Sequence, residues 1–325
     1  MTNEKNLTPE LIQQLISDEE IPLRRQTFAP ETVQTVLRYG AMVGSVLEHH
    51  VHLTRGMDRA HQLINESEAG NRSFPCGMVI LAESMDNSRG RFQRSWDSPR
   101  GGLWLTLVMV NTLLPESTRL YPLAAGIACC ELLQEYSIAA RIKWVNDILV
   151  GGRKIAGILT KTSVGSHSGE EFILIGIGIN ANNETFPDEI ADTAVAMRPA
   201  LSHPVDLTML AARLLVKLRW NIGLLHFEEA RHLENDDRSE TFPSTPHIVT
   251  SHKNLLLARY SKLTDIYNRR VLFGFDVQQK PQYEAKILGL DETGGLILKM
   301  DDGSTVVEHS GEIIYLDGKN PLGAL

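Results

Sequence analysis

The chain has little cysteine and no long apolar run, and these absences exclude several classes of protein. Only 3 of its 325 residues are cysteine, and Cys129 and Cys130 are adjacent in a predicted helix, so neither a disulfide framework nor a zinc site is expected. No apolar stretch approaches the roughly 20 residues that span a bilayer. Residues 1–10 lack the cationic and apolar blocks of a secretion signal. We therefore expect a cytoplasmic protein without a membrane partner.

An excess of positive charge is also missing. Lys and Arg number 32 against 40 Asp and Glu, which gives a net charge of −8 and a pI of about 5.8. Because nucleic-acid-binding proteins are usually basic, no nucleic-acid partner is expected. Hydrophobic residues make up 42% of the chain, and at this length they suffice for two domains with at least one substantial core.

Several common site signatures are absent as well. The pair Gly176 and Gly178 is not a dinucleotide fingerprint, since the third glycine and the following helix are missing. There is no phosphate-binding Gly-x-x-x-x-Gly-Lys-Ser/Thr loop and no Gly-x-Ser-x-Gly nucleophile turn. The 11 histidines show no spacing typical of a metal site, so no protein-bound metal is predicted.

The spacing of apolar residues predicts a mixed α/β (α+β) protein. Residues 1–50 are expected to be helical, and further helices are predicted over Arg59–Glu66, Pro122–Tyr136 and from Asp206, as N-cap, to about Leu225. Strands are predicted at Cys76–Glu83, Gly102–Val110, Arg141–Val150, Lys154–Thr160 and Phe172–Ile179. The last three are expected to form an antiparallel meander, whose first turn is Gly151-Gly152.

The C-terminal part of the chain has a different pattern. Five short strands separated by Asp/Gly turns indicate a small β-barrel, at Val271–Val277, Tyr283–Leu290, Leu296–Met300, Thr305–His309 and Glu312–Leu316. Before it, residues 231–253 are rich in acidic and turn-forming residues, which predicts an exposed insertion.

Three arginines stand close together in the segment Ser88–Trp96, which follows a predicted strand. The like charges of Arg89, Arg91 and Arg94 repel one another unless anions neutralise them. Guanidinium groups bind phosphate and carboxylate in bidentate fashion. We call Ser88–Trp96 the arginine loop. A solvated basic loop is the alternative.

A second cluster lies at Lys143-Trp-Val-Asn-Asp147 and at Lys154, with Gly157 beyond; we call residues 143–157 the lysine hairpin. A lysine beside a reacting carboxyl can neutralise charge that develops on an acyl phosphate. Asn146 and Asp147 could bind a nucleotide hydroxyl or a magnesium ion. Each residue alone has a structural explanation as a turn or edge residue. Together they favour an anion site.

These motifs occur in one order and resemble the biotin protein ligase family. The resemblance runs from about residue 45 to 318 and includes Ala82-Glu83, the arginine loop, the lysine hairpin, Gly176-Ile-Gly-Ile-Asn180 and Ser310-Gly-Glu-Ile313. It implies a biotin–lipoate ligase-like core, similar to class II synthetases, with a mixed, largely antiparallel sheet and an SH3-like C-terminal barrel. The implied division is an N-terminal helical extension (1–44), a ligase-like domain (45–268) and the barrel (269–325), the short form without a DNA-binding domain.

The resemblance also implies an activity: a carboxylate attacks the α-phosphate of ATP, and a lysine of a biotin carboxyl carrier-like protein then displaces AMP. ATP, Mg²⁺ and biotin or a related acid would be the cofactors, and a homodimer is expected. Catalytic roles fall to Lys154, Arg89, Arg91 and Asp147. Binding roles fall to Arg94, Trp96, Lys143, Asn146, Asn180, Gly157, Gly178, Met85 and Met57.

The chain departs from the family pattern where the biotin ring would bind. The polar Ser-Thr-Asn run is replaced by Arg55-Gly56-Met57, and Met85 stands in place of a glutamine. Ser88 and Val145 replace a glycine and a proline. A ureido ring left without partners would lose a few kcal/mol of binding. The three hypotheses are therefore a biotin ligase with a diverged pocket, a ligase for another acid such as lipoate, and a non-catalytic binding protein.

Overall fold

The computed structural model describes residues 7–236 and 254–316. Most of the predicted insertion at 231–253 lies outside these residues. The chain begins with helical segments α1 (Pro9–Leu15), a π-helical turn (Ile16–Glu20), α2 (Ile21–Arg25) and α3 (Pro30–Tyr39). Thr8 caps α1, since its hydroxyl accepts the Leu11 N–H at 3.2 Å.

A seven-stranded sheet lies at the centre of the molecule. Its strands are β1 (Leu47–His50), β2 (Met78–Ala82), β3 (Leu103–Val110), β4 (Arg141–Lys143), β5 (Asp147–Val150), β6 (Arg153–Val164) and β7 (Glu171–Ile179). Their order is β1-β2-β3-β7-β6-β5-β4. Strands β1 and β2 are parallel and the other neighbours are antiparallel. The predicted mixed, largely antiparallel sheet and its meander are confirmed.

Two local predictions were wrong. Residues 47–50 form strand β1 and not a helix, because this segment pairs along buried β2. The single strand predicted over 141–150 is a hairpin: Lys143 pairs with Asp147, and the three residues between them form the turn. Apolar content alone did not reveal this reversal, since Trp144 and Val145 are buried although they lie in a turn.

Helices cover both faces of the sheet. They are α4 (Gly56–Ala69), α5 (Pro115–Thr118), α6 (Tyr121–Glu135), α7 (Met197–Leu201), α8 (Leu207–Asp236) and α9 (Leu255–Leu263). Alternate residues of β2 contact opposite cores: Met78 and Ile80 pack with α4, whereas Val79 and Leu81 belong to the larger core that contains α6. Helix α6 is apolar on nearly every side because it is enclosed between the sheet and α8.

Buried ion pairs join the N-terminal helices to this core. Arg24 binds Glu20 at 2.7 Å and Glu131 of α6 at 2.5 Å, and Lys217 of α8 binds Glu20 at 2.5 Å. These side chains are at most 10% exposed. Charges this deeply buried require partners, so the N-terminal helices complete the core.

The second sheet confirms the five C-terminal strands, with ends moved by a few residues. They are β8 (Arg270–Gly274), β9 (Tyr283–Leu290), β10 (Leu296–Lys299), β11 (Thr305–Glu308) and β12 (Glu312–Tyr315), in the order β11-β10-β9-β8-β12 and all antiparallel. Over the described strands β11 and β12 are the two edges, so closure into a barrel is not confirmed. The Trp144 indole N–H donates to the Gly294 carbonyl at 3.1 Å and links the two sheets.

No helix within residues 7–236 and 254–316 is long and apolar enough to cross a membrane.

Candidate active site

The turn of the β4–β5 hairpin presents the residues of the lysine hairpin. Buried Trp144 anchors the turn, and the Trp144–Val145 peptide bond is cis. Asn146 is fixed to β6 from both sides: its Nδ2 donates to the Ile158 carbonyl at 2.9 Å, and its carbonyl accepts the Ile158 N–H at 2.9 Å. The amide oxygen of Asn146 therefore has a fixed direction.

An ion pair forms across the next turn. Gly151 and Gly152 have φ of +54° and +84°, as the predicted tight turn requires, and they return the chain so that Lys154 reaches Asp147. The Lys154 Nζ lies 2.6 Å from Asp147 Oδ1 and 5.0 Å from the centre of the Trp96 ring. The ammonium is thus held by a carboxylate and an aromatic face.

The electrostatics of this pair favour the charged carboxylate. Burial alone would raise the pKa of Asp147, but the charges of Lys154 and Lys143 outweigh it and hold that pKa below its ordinary value. Burial lowers the pKa of Lys143, and neighbouring Lys154 lowers it further, although Asp147 opposes both effects. The result is a cluster with two cations and one anion, which retains capacity for a negatively charged ligand.

The indole of Trp96 covers the glycine-lined strand face. A methyl group added at Gly178 would lie 2.7 Å from Trp96 Nε1, and one at Gly157 would lie 3.0 Å from Trp96 Cζ3. Any side chain at these positions would therefore displace the indole. The Trp96 Nε1 is buried and has no hydrogen-bond partner in the described chain. A buried donor of this kind calls for an acceptor from a ligand or an ordered water.

The arginine loop places its three arginines differently. Arg91 Nη1 donates to Asn146 Oδ1 at 3.1 Å, and burial lowers the pKa of Arg91. Arg94 forms a bidentate pair with Glu312 of the second sheet at 2.5 and 2.8 Å. Arg89 donates to Ser95 Oγ at 3.0 Å and does not line the cavity. The loop thus brings Arg91 to the lysine hairpin and leaves Arg89 outside.

These side chains surround one cavity of about 250 Å³. At one end, Met57 packs over Gly176 and Met85 Sδ accepts the Gly56 N–H at 3.2 Å, next to Thr106. The Lys154–Asp147 pair lines the same cavity. Except for Arg89, every predicted site residue lines this cavity: Met57, Met85, Arg91, Arg94, Trp96, Lys143, Asn146, Asp147, Lys154, Gly157, Gly178 and Asn180.

The sequence did not indicate some lining residues. Phe186, Ile190 and Thr193 also line the cavity, and the Lys154 N–H donates to the Thr193 carbonyl at 2.7 Å. Their segment carries no periodic or motif signal. Gly311 and Glu312 enter from the second sheet. Their motif, Ser310-Gly-Glu-Ile313, carries no sequence signal that links it to the site.

Residues 60–180 match the model of the biotin/lipoate A/B protein ligase family. The chain is 32% identical over 180 residues to the bifunctional ligase/repressor BirA of Bacillus subtilis, covering 53% of each protein. It is 34% identical over 138 residues to the biotin–[acetyl-CoA-carboxylase] ligase of Paracoccus denitrificans, covering 39% of this chain and 51% of the relative. The chain therefore spans about half the length of the curated relatives it matches.

The fold has solved counterparts. The biotin protein ligase from Aquifex aeolicus, solved with biotin and ATP, superposes with a TM-score of 0.60 at 20% identity, over 84% of this chain and 99% of that one. At that identity the likeness supports the fold. The family-model match at residues 60–180 covers the arginine loop and the lysine hairpin. This part of the chain is therefore similar to the biotin/lipoate A/B protein ligases, and the fold is similar to that of a solved biotin protein ligase.

Proposed function

We propose that the protein is an ATP-dependent ligase that adenylates biotin, or a similar small carboxylic acid, and transfers the acyl group to a lysine of a carrier protein. The observation that carries the proposal is the Lys154–Asp147 pair at 2.6 Å, in the same cavity as Met57, Met85 and Arg91. A mixed anhydride of an acid and AMP needs such an arrangement, with a cation where its two halves join.

In the first step, a carboxylate oxygen of the acid forms a bond to the α-phosphorus, and the bond from that phosphorus to the leaving pyrophosphate breaks. Lys154 would neutralise charge on the carboxyl and phosphoryl oxygens, and Asp147 keeps the ammonium in place. Lys143 and Arg91 supply further positive charge beside it. The protein contributes position and charge, and no residue forms a covalent intermediate.

In the second step, the ε-amine of the carrier lysine attacks the acyl carbon, and AMP leaves with the bridging oxygen. The proton that the amine loses passes to the leaving AMP phosphate or to solvent, since the lowered pKa of Asp147 makes this carboxylate a weak base. Because mixed anhydrides hydrolyse, the arginine loop has to exclude water until the amine arrives.

Magnesium remains a prediction for which the protein provides few ligands. Within the described ranges no group of three or more His, Cys, Asp or Glu side chains is arranged to hold a metal ion. The oxygens of Asp147 and Asn146 already bind Lys154 and Arg91. These residues do not form a metal site by themselves.

One observation favours a different acid from biotin. Met57 and Met85 line the acid end, where thioethers suit an apolar chain better than a polar ring. Lipoate, or another small apolar acid, is therefore the second candidate substrate.

The test is acid-dependent pyrophosphate exchange with ATP, run with biotin, lipoate and octanoate in parallel. Exchange with biotin supports the first substrate, and exchange only with lipoate or octanoate supports the second. A folded protein that is silent with every acid would contradict the proposal and leave the non-catalytic hypothesis.

Other expectations stay predictions. They are the cytoplasmic location, the homodimer, the lack of a nucleic-acid partner, the division at residues 44/45 and 268/269, and the closure of the second sheet into an SH3-like barrel.

A further inference from the structure

The tip of the arginine loop contacts the second sheet through three neighbouring side chains. Arg91 donates to the Gly311 carbonyl at 2.9 Å and to Ser310 Oγ at 3.0 Å. The ring of Phe92 meets Phe275 edge-on, with centroids 6.1 Å apart. Arg94 forms the bidentate pair with Glu312. The contact therefore runs along the whole tip of the loop.

The backbone of the same tip is held in an unfavourable conformation. Phe92 and Gln93 have φ of +54° and +62°, the left-handed region that residues other than glycine rarely adopt. Such a conformation persists only where surrounding contacts fix it. Backbone hydrogen bonds within the loop close this turn, with the Gly90 N–H donating to the Arg94 carbonyl at 2.8 Å, and Phe92 packs on Phe275 beside the second sheet. The contacts to the second sheet therefore help to hold the loop in this shape.

That shape in turn decides where Arg91 points. Its guanidinium joins Ser310 and Gly311 on one side to Asn146 of the lysine hairpin on the other. Asn146 has a fixed direction because it is bonded to β6. Arg91 is thus the bridge between the second sheet and the centre of the site, and the Arg94–Glu312 pair lies three residues further along the loop.

We propose that Glu312 and Ser310 are positioning residues for the acyl-activating site: they hold the arginine loop over the cavity, so that the acyl-adenylate is retained until the acceptor amine attacks. This proposal rests on the proposed function. It gives Arg94 an interdomain structural role in place of the expected nucleotide contact. The second sheet becomes part of the active site, since it controls the cover of the cavity.

The first test needs no substrate. Hydrogen–deuterium exchange of residues 88–96 is measured in the full chain and in Glu312→Gln. The control is Glu292→Gln, which changes an exposed glutamate in the turn between β9 and β10. We expect exchange in the loop to be about tenfold faster in Glu312→Gln and unchanged in the control. The double variant Arg94→Glu/Glu312→Arg reverses the pair and should restore slow exchange. Equal loop exchange in wild type and Glu312→Gln would overturn the proposal.

The second test separates retention from chemistry. With an acid that supports pyrophosphate exchange, free acyl-adenylate released into solution is quantified by chromatography. Relative to its own exchange rate, Glu312→Gln should release about tenfold more adenylate than wild type, because the cover opens. The reversed pair should again retain it. Unchanged release from Glu312→Gln would refute the retention role. If no acid supports pyrophosphate exchange, the proposed function fails. The hydrogen–deuterium exchange result then still shows whether Glu312 holds the arginine loop.

Discussion

Substitution of Lys154 by methionine gives the sharpest test of the acyl-activating site. The methionine retains an unbranched stem that can lie against Trp96, whose ring centre is 5.0 Å from Nζ, and removes only the charge. If the ammonium stabilises charge on the joined carboxyl and phosphoryl oxygens, its loss should lower the rate of pyrophosphate exchange by about 100- to 1,000-fold, or about 3–4 kcal/mol.

The cost in stability should be much smaller. At 2.6 Å the Lys154–Asp147 attraction is about 6 kcal/mol in a medium of dielectric constant about 20, but desolvation offsets most of it. The two side chains are also 32% and 26% exposed, and Lys143 remains beside Asp147. We expect the free energy of unfolding to fall by only about 1 kcal/mol.

The assay compares exchange rates at saturating ATP and acid with urea unfolding of the same samples. Lys161→Met is the matched control, because Lys161 lies on the same strand and does not line the cavity. Exchange by Lys154→Met within tenfold of wild type, in a folded protein, would refute the assigned role.

Three further predictions concern other parts of the molecule. Glu131→Gln should lower the free energy of unfolding, measured by urea denaturation, by about 3–5 kcal/mol, because it leaves the Arg24 and Arg259 guanidiniums facing a neutral group. A loss below about 1 kcal/mol would show that this cluster does not hold the N-terminal helices. Burial lowers the pKa of His226 to about 4 from its ordinary 6.5, so the unfolded chain binds a proton at a higher pH than the folded chain does. The free energy of unfolding should therefore fall by up to about 3 kcal/mol as the pH drops from 6.5 to 4. His226→Phe should make this pH dependence weaker, and an equal pH dependence in the variant would contradict the prediction. Met85→Gln restores an amide to the acid end and should raise kcat/KM for biotin relative to lipoate by about tenfold; an unchanged ratio would mean that Met85 does not contact the acid.

Much of the fold could be predicted because its signals are local. The five C-terminal strands are separated by Asp/Gly turns, and Gly151-Gly152 has the conformation that its composition predicts. The β4–β5 hairpin was missed, since its turn residues Trp144 and Val145 are apolar and are buried by long-range packing. Closure of the second sheet does not follow from such local signals: its edge strands β11 and β12 are consecutive in the chain, yet within the described residues they pair with β10 and β8.

The central charges of the proposed site could be predicted from the sequence. Lys143, Asp147 and Lys154 are close in the chain, so a hairpin suffices to bring them together. The cover of the site depends instead on long-range packing. Arg91 and Arg94 meet Ser310, Gly311 and Glu312 more than 200 residues later, and Arg89, from the same motif, turns away to Ser95. Neighbouring arginines have the same chemistry, and which of them reaches the cavity depends on the surface against which their loop folds.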